Sequence, residues 1–289
     1  MFICCNFSDF MQSFLKNKHH FFFAAAFAMS IAVISCKKDN SDNISAEVQA
    51  QLDIATQVLK TNNELTRSTV LTGQSTKEKG SGLTNNNADD RCGSINVTPA
   101  DPLAFPKSVM LDYGSGCTDL LGIKRAGNIN ITLQKLWEPG STSSVEYGNY
   151  TENQVKMNGK VSLTNVSDNT GAGLNLLVTN LKRTEATGTE SSVESALTFR
   201  QTAGGITFWD WNDDIYSITG STKVALANGQ SAAMSITLPL TKSNNCAWPS
   251  KGSAALVINN VPMTIDYGNG TCDNEAAVTI NGTTYTIYL

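Results

Sequence analysis

From Cys92 to Leu289 the chain alternates apolar residues with Ser, Thr, Asn and charge in short runs. This is the period-two pattern of strands with one face in a core. The runs include Ser108–Tyr113, Asn128–Leu136, Lys160–Asn165, Ile215–Thr219, Thr222–Leu226, Ala254–Ile258, Met263–Tyr267 and Thr283–Tyr288. Asn158–Gly159, Asn228–Gly229 and Asn281–Gly282 fall between runs. They read as type I′ hairpin turns, in which both central residues need positive φ. Hairpins join antiparallel neighbours, and no stretch here is helix-periodic for long enough to make a crossover. The pattern predicts an all-β fold over residues 92–289. It is expected to be an antiparallel two-sheet, sandwich-like body with internal duplication, large enough to bury a sizeable core.

Ahead of this region the period changes. Ile44, Val48, Leu52, Ala55 and Leu59 recur at steps of three and four, predicting a short amphipathic helix over residues 44–62. Ser45 followed by Glu47 is a suitable start. From Glu64 to Arg91 the chain is rich in Ser, Thr, Asn, Gly and charge with no apolar period, so it is expected to be a flexible linker or long loop. Residues 36–91 then form a tether that carries one helix.

The first 35 residues have a different composition. Lys16 and Lys18 precede an apolar run, Phe21–Ile34, which leads into Val33-Ile34-Ser35-Cys36. A run this short suits a secretory signal rather than a transmembrane helix, which needs about 20 apolar residues. The last four residues resemble the lipobox of bacterial lipoproteins. That resemblance implies a signal peptide over residues 1–35 and lipidation (palmitate among the acyl groups) at Cys36. Met11 gives a more usual start than Met1, and both starts stay open. The residues after Cys36 are mixed in charge, which leaves periplasm-facing and surface-exposed display open.

Removing the signal peptide changes the chemistry available. Both histidines, His19 and His20, leave with it. So do Lys16, Lys18 and Asp9, leaving 19 basic and 24 acidic residues and a net charge of −5. A histidine-free chain cannot assemble a Ser-His-Asp triad or a histidine zinc site. An acidic balance without a basic patch excludes a nucleic-acid partner. No cofactor is implied.

Two stretches repeat one another, M-L-D-Y-G-S-G-C at Met110–Cys117 and T-I-D-Y-G-N-G-T-C at Thr264–Cys272. Cys92 precedes Asp112 by twenty residues, and Cys246 precedes Asp266 by twenty. The midpoint of each cysteine interval is a turn signal, D-P-L-A-F-P or Asn259–Asn260. Each segment reads as a hairpin with cysteines at its open end, within disulfide reach. Four cysteines allow three connectivities, of which this geometry favours Cys92–Cys117 and Cys246–Cys272. An even set of cysteines in an exported chain points to disulfides.

Taken together, Cys36, Cys92, Asp112–Cys117 and Asp266–Asn274 resemble a family of uncharacterised Bacteroidota-type cell-envelope lipoproteins. The resemblance spans nearly all the mature chain and implies an address, lipid-anchored and at the outer membrane, but no activity. The expectation is a non-enzymatic envelope protein with a binding or structural role, attached to the membrane through its lipid, with a glycan or protein as candidate partner.

Two other chemistries stay open. Phe208–Asp214 sets Trp209 and Trp211 among Asp210, Asp213 and Asp214. Flat rings stack on sugar faces and carboxylates bind hydroxyls, so this is a candidate carbohydrate-binding or carbohydrate-active surface. Core packing by one tryptophan with turn-closing aspartates accounts for the same pattern. Asp112, Asp119, Asp266 and Asp273 lie on glycine-rich turns and are calcium candidates for an adhesin-like module; equally, such residues cap tight turns through their own backbone.

Overall fold

A computed structural model describes residues 44–80, 92–101, 103–135, 138–206 and 212–289, the first segment with side chains to residue 73. The chain divides into Met1–Asn43 and a body, Ile44–Leu289. The expected signal peptide and the lipidation site Cys36 lie outside the described residues.

The body holds one helix, α1 (Ala46–Gly80), and fourteen strands. The strands are β1 (Ser94–Thr98), β2 (Lys107–Asp112), β3 (Cys117–Thr118), β4 (Lys124–Leu133), β5 (Thr142–Glu152), β6 (Val155–Asn165) and β7 (Gly173–Thr184). They continue with β8 (Glu190–Ala203), β9 (Ile215–Leu226), β10 (Ser231–Ser243), β11 (Lys251–Ile258), β12 (Val261–Asn269), β13 (Glu275–Ile280) and β14 (Thr283–Tyr288). The all-β antiparallel architecture predicted from alternation is the architecture observed. Its layers belong to one hydrogen-bonded sheet, in which every strand except the short β3 follows the chain order.

Inward-facing positions of this meander are apolar and buried, as in Val109, Leu111, Ile129, Ile131, Leu176, Val193, Leu256 and Ile265. Most outward positions are small or polar, although Leu177, Leu238, Val257 and Tyr288 are exposed on strands. Ser108, Thr132, Ser144 and Ser162 follow one another across β2, β4, β5 and β6; Ser235, Ala255, Thr264 and Thr279 do so across β10 to β13. A membrane-spanning barrel needs the opposite, an apolar outer band. Among the described residues no helix is long and apolar enough to cross a membrane.

A band of irregularities crosses the long strands. Register shifts fall at Ala126/Asn128, Tyr147/Thr151, Asn158/Val161, Ser235/Leu240 and Lys251/Ser253. Bulges bend strands and increase local twist, so this band is where the sheet curls. Glycine is required within it. A Cβ on Gly220 (φ +120°) would lie 2.0 Å from the Ala196 carbonyl oxygen, and one on Gly127 (φ +77°) 2.2 Å from that of Asn149.

Two sequence expectations change here. Asn158–Gly159 is no turn: it sits inside β6 at a bulge, and the β5–β6 turn is Asn153–Gln154, both at positive φ. Gly220 likewise interrupts nothing, and the runs on either side of it are the single strand β9. Of the three Asn-Gly pairs, Asn281–Gly282 has positive φ at both residues, at 51° and 82°.

The second change concerns α1. It starts as expected, with Ser45 Oγ accepting from the Val48 backbone N–H at 3.3 Å and Glu47 in the first turn. It then continues past Asn62 to Gly80. The flexible linker expected from Glu64 is therefore helix through Gly80; its remainder, 81–91, lies outside the described residues. Every residue from Thr61 to Thr69 is buried. More than two turns covered on all sides cannot come from packing on one layer. The partners of this segment come from β5, β7, β9 and the β10–β11 loop, so the sheet wraps the helix. The hydroxyls of Thr61 and Thr66 donate to the carbonyls of Gln57 and Asn62, both at 2.8 Å, so these polar side chains are satisfied away from water.

Candidate functional site, a buried ion cluster between two cysteine staples

The duplicated motifs fold alike. Asp112 Oδ1 accepts from the Gly114 N–H at 2.9 Å, and Asp266 Oδ1 from the Gly268 N–H at 2.8 Å. The following tyrosines, Tyr113 and Tyr267, point into the core. Cys92 is joined to Cys117 with Cα atoms 5.9 Å apart, and Cys246 to Cys272 at 5.3 Å. The hairpin geometry inferred from spacing thus places both pairs.

The calcium candidates are committed to local bonds. Besides the two turn-capping aspartates, Asp119 Oδ1 accepts from Leu121 N and Ile123 N, and its Oδ2 pairs with Arg125. Asp273 Oδ1 accepts from Glu275 N. Among the described residues no group of three or more His, Cys, Asp or Glu side chains could hold a metal ion.

Trp209, Asp210 and Trp211 lie outside the described residues. Their neighbour Asp213 is exposed, whereas Asp214 is buried and structural. It accepts from Gln201 Nε2 at 2.5 Å and from the Tyr216 hydroxyl at 3.0 Å, closing the β8–β9 connection. Burial and this carboxylate push the Tyr216 hydroxyl well above the ordinary tyrosine range.

The densest chemistry lies inside the body, among residues that reach towards both staples. Arg67 of α1 binds Glu152 at the end of β5 with two donors, its Nε at 2.7 Å. The second oxygen of Glu152 accepts from the Tyr150 hydroxyl at 2.9 Å and stands 3.7 Å from Arg125 Nε. Arg125 pairs with Asp119 and is opposite Cys117 in the β3–β4 register. On its other side Arg67 donates to the Ala247 carbonyl at 3.2 Å and lies over the Trp248 ring at 5.2 Å. Asn63 Nδ2 donates to the same carbonyl at 3.1 Å. One helix arginine therefore links the strands beside the first staple to the loop that carries Cys246 of the second.

Lys242, 3 % exposed, stands at the second staple. Its ammonium donates to the Ser243 carbonyl at 2.8 Å and to the Cys246 carbonyl. Burial, reinforced by Arg67 and opposed by Glu152 and Asp119, pulls it down to about 7. Burial works against charge on Arg125 too, but Tyr150, Glu152 and Asp119 outweigh it and hold its proton more firmly than usual. Tyr147, bonded to Ser68 Oγ at 2.7 Å, is pushed up to about 12, mainly by burial. Burial and Glu152 push Tyr150 well above the usual range.

A separate pair crosses the helix elsewhere. Arg183 of β7 bonds Glu64 at 2.7 and 2.9 Å and also pairs with Glu185. Burial raises Glu64 above the usual carboxylate range despite the hydrogen bond from Arg183.

In this arrangement both oxygens of Glu152 are occupied, and each cation is paired or seated on carbonyls. What it does is cross-link helix and sheet. Arg67, Glu152, Arg125 and Lys242 were not singled out in the sequence. Part of the signal is there: in Leu240-Thr241-Lys242 and Tyr150-Thr151-Glu152 the charge falls at an inward position of the alternation. A charge on the core face of a strand needs a buried partner.

No protein-family model matches the chain, and neither a curated protein nor a solved structure does.

Proposed function

We propose that this is a lipid-anchored envelope protein, attached through Cys36, whose β body has a non-enzymatic binding or structural role. The carrying observation is the pairing of all four body cysteines, Cys92 with Cys117 and Cys246 with Cys272. Such pairs persist in oxidising compartments, and a signal segment ending in a lipobox leads there. The mostly polar outer face of the sheet supports attachment by lipid rather than by strands. The occupied state of the interior ion cluster supports a framework role for its charges rather than proton transfer. Nine residues separate Cys36 from the first helical residue, Ala46.

The test is metabolic labelling with palmitate, with membrane fractionation of wild type and Cys36→Ala. Label in the wild type, and its loss together with membrane association in the variant, is the expected result. An unlabelled chain, or a variant that stays on the membrane, would end the proposal.

A further inference from the structure

We propose that the Cys246–Cys272 disulfide is a redox-sensitive latch on α1, opened by a dithiol reductant attacking the exposed Cys272. Three independent features converge on it.

The first is access. Cys272 lies in the exposed segment that follows β12, whereas Cys246 is 3 % exposed, and both partners of the other disulfide, Cys92 and Cys117, are half-buried. Thiol–disulfide exchange depends on which sulfur can be reached. Among the described cysteines, Cys272 is the exposed one.

The second is the leaving group. Attack at Cys272 Sγ breaks the S–S bond and sends its electron pair to Cys246 Sγ. The Lys242 ammonium sits on the carbonyl of that same residue. While Lys242 carries its charge, at and below about pH 7, it favours a thiolate on Cys246, and a better thiolate leaves faster. The reductant's second thiol then attacks the mixed disulfide and releases Cys272. Two protons pass from the reductant's thiols to Cys246 and Cys272, and the reductant ends as its own disulfide. The first staple has a different setting: Arg125, opposite Cys117, is already paired with Asp119 and faces Glu152.

The third is what the loop holds. The Asn63 side chain and the Arg67 guanidinium engage the loop segment next to Cys246 at the Ala247 carbonyl, and Arg67 also lies over that segment's Trp248 ring. With the staple intact, the Cys246 end of this segment is fixed to the strand β12 side. With it open, the loop keeps only the Ala247 carbonyl and the Trp248 ring against the helix and is no longer anchored to β12, while Glu152, Tyr147, Arg183 and Thr222 go on holding residues 61–69. The inference does not depend on lipid anchoring and can be tested on the soluble mature chain.

The experiment exposes the oxidised mature chain to dithiothreitol, traps free thiols by alkylation at timed intervals, and maps both pairs by peptide mass spectrometry. In parallel, amide hydrogen exchange is followed over residues 61–69. Cys246–Cys272 should open about tenfold faster than Cys92–Cys117, and exchange over 61–69 should rise with its opening. The double variant Cys246→Ser/Cys272→Ser should show the raised exchange without reductant, and Cys92→Ser/Cys117→Ser should not. Lys242→Met should slow the opening when the rate is read at or below about pH 7, where Lys242 carries its charge. Opening of Cys92–Cys117 first or at an equal rate overturns the proposal, as does unchanged exchange over 61–69. An undiminished rate in Lys242→Met removes the assigned leaving-group stabilisation.

Discussion

Replacing Arg67 by Met tests the central structural claim, that one helix arginine links the strands beside the first staple to the loop that carries Cys246. The substitution keeps much of the side chain's length but strips three sets of contacts: two donors to Glu152, one to the Ala247 carbonyl, and the cation over Trp248. Glu152, 1 % exposed, would keep only Tyr150 and the more distant Arg125. Breaking a buried pair by removing one partner costs roughly 3–5 kcal/mol, because the other charge is left uncompensated. Asn63 still donates to Ala247, so loss of that bond adds little. Against a total stability of about 5–15 kcal/mol this is a large fraction. With a urea m-value of roughly 2–3 kcal/mol/M the midpoint should fall by about 1–2.5 M. Urea titration followed by tryptophan fluorescence is the assay. Arg67→Met/Glu152→Met should recover part of the loss, giving a coupling of about 2 kcal/mol or more. Lys160→Ala serves as control, since its pair with Glu146 is exposed and should be worth under about 1 kcal/mol. If Arg67→Met costs no more than that control, the helix is not held as described.

Other outcomes follow from the same geometry. Lys242 is pulled to about 7 in the folded chain from 10.5. The unfolded state therefore binds more protons between those values, and stability should rise with pH across that window. Above about pH 10 it should fall again, since Tyr147 and Tyr150, held above the usual range, must ionise more readily on unfolding. Lys242→Met should flatten the rise, as read from urea midpoints at stepped pH. Gly220→Ala should destabilise strongly, because its Cβ would meet the Ala196 carbonyl oxygen at 2.0 Å, whereas Gly229→Ala, with open space around it, should cost about 1–2 kcal/mol. Thermal melts would rank the two, and equal costs would refute the bulge reading. Asp112→Ala and Asp266→Ala should each cost about 1 kcal/mol, as lost turn caps do. A chelator should leave the melting temperature unchanged; a chelator-sensitive melt would restore the calcium reading.

What could be read in the chain was local. Alternation names the inward and outward face of each strand because side chains in a strand alternate by geometry. The cysteine pairs were legible because the ends of a hairpin are near each other whatever the rest of the fold does. The start of α1 was legible for a similar reason: Ser45 and the first apolar turns satisfy helix rules within a few residues. Thr61–Thr69 was not. Its polar side chains look solvated in sequence, and they are buried only because the curled sheet brings Tyr147, Arg183, Thr222 and Ala247 to them across separations of 79 to 184 residues.

Glycine marks the same boundary. Gly159 and Gly282 both follow asparagine, yet one is a bulge within a strand and the other a hairpin turn. The residue permits positive φ in either place, and only pairing with the neighbouring strands chooses between them. The sequence by itself determined strand faces and the two staples. The tertiary structure alone decided that one sheet would curl round the helix and that Arg67 would join Glu152 to the loop beside Cys246. The physical reason is that a buried charge is tolerable only when a distant partner meets it, and that partner is fixed by how the sheet bends rather than by any nearby residue.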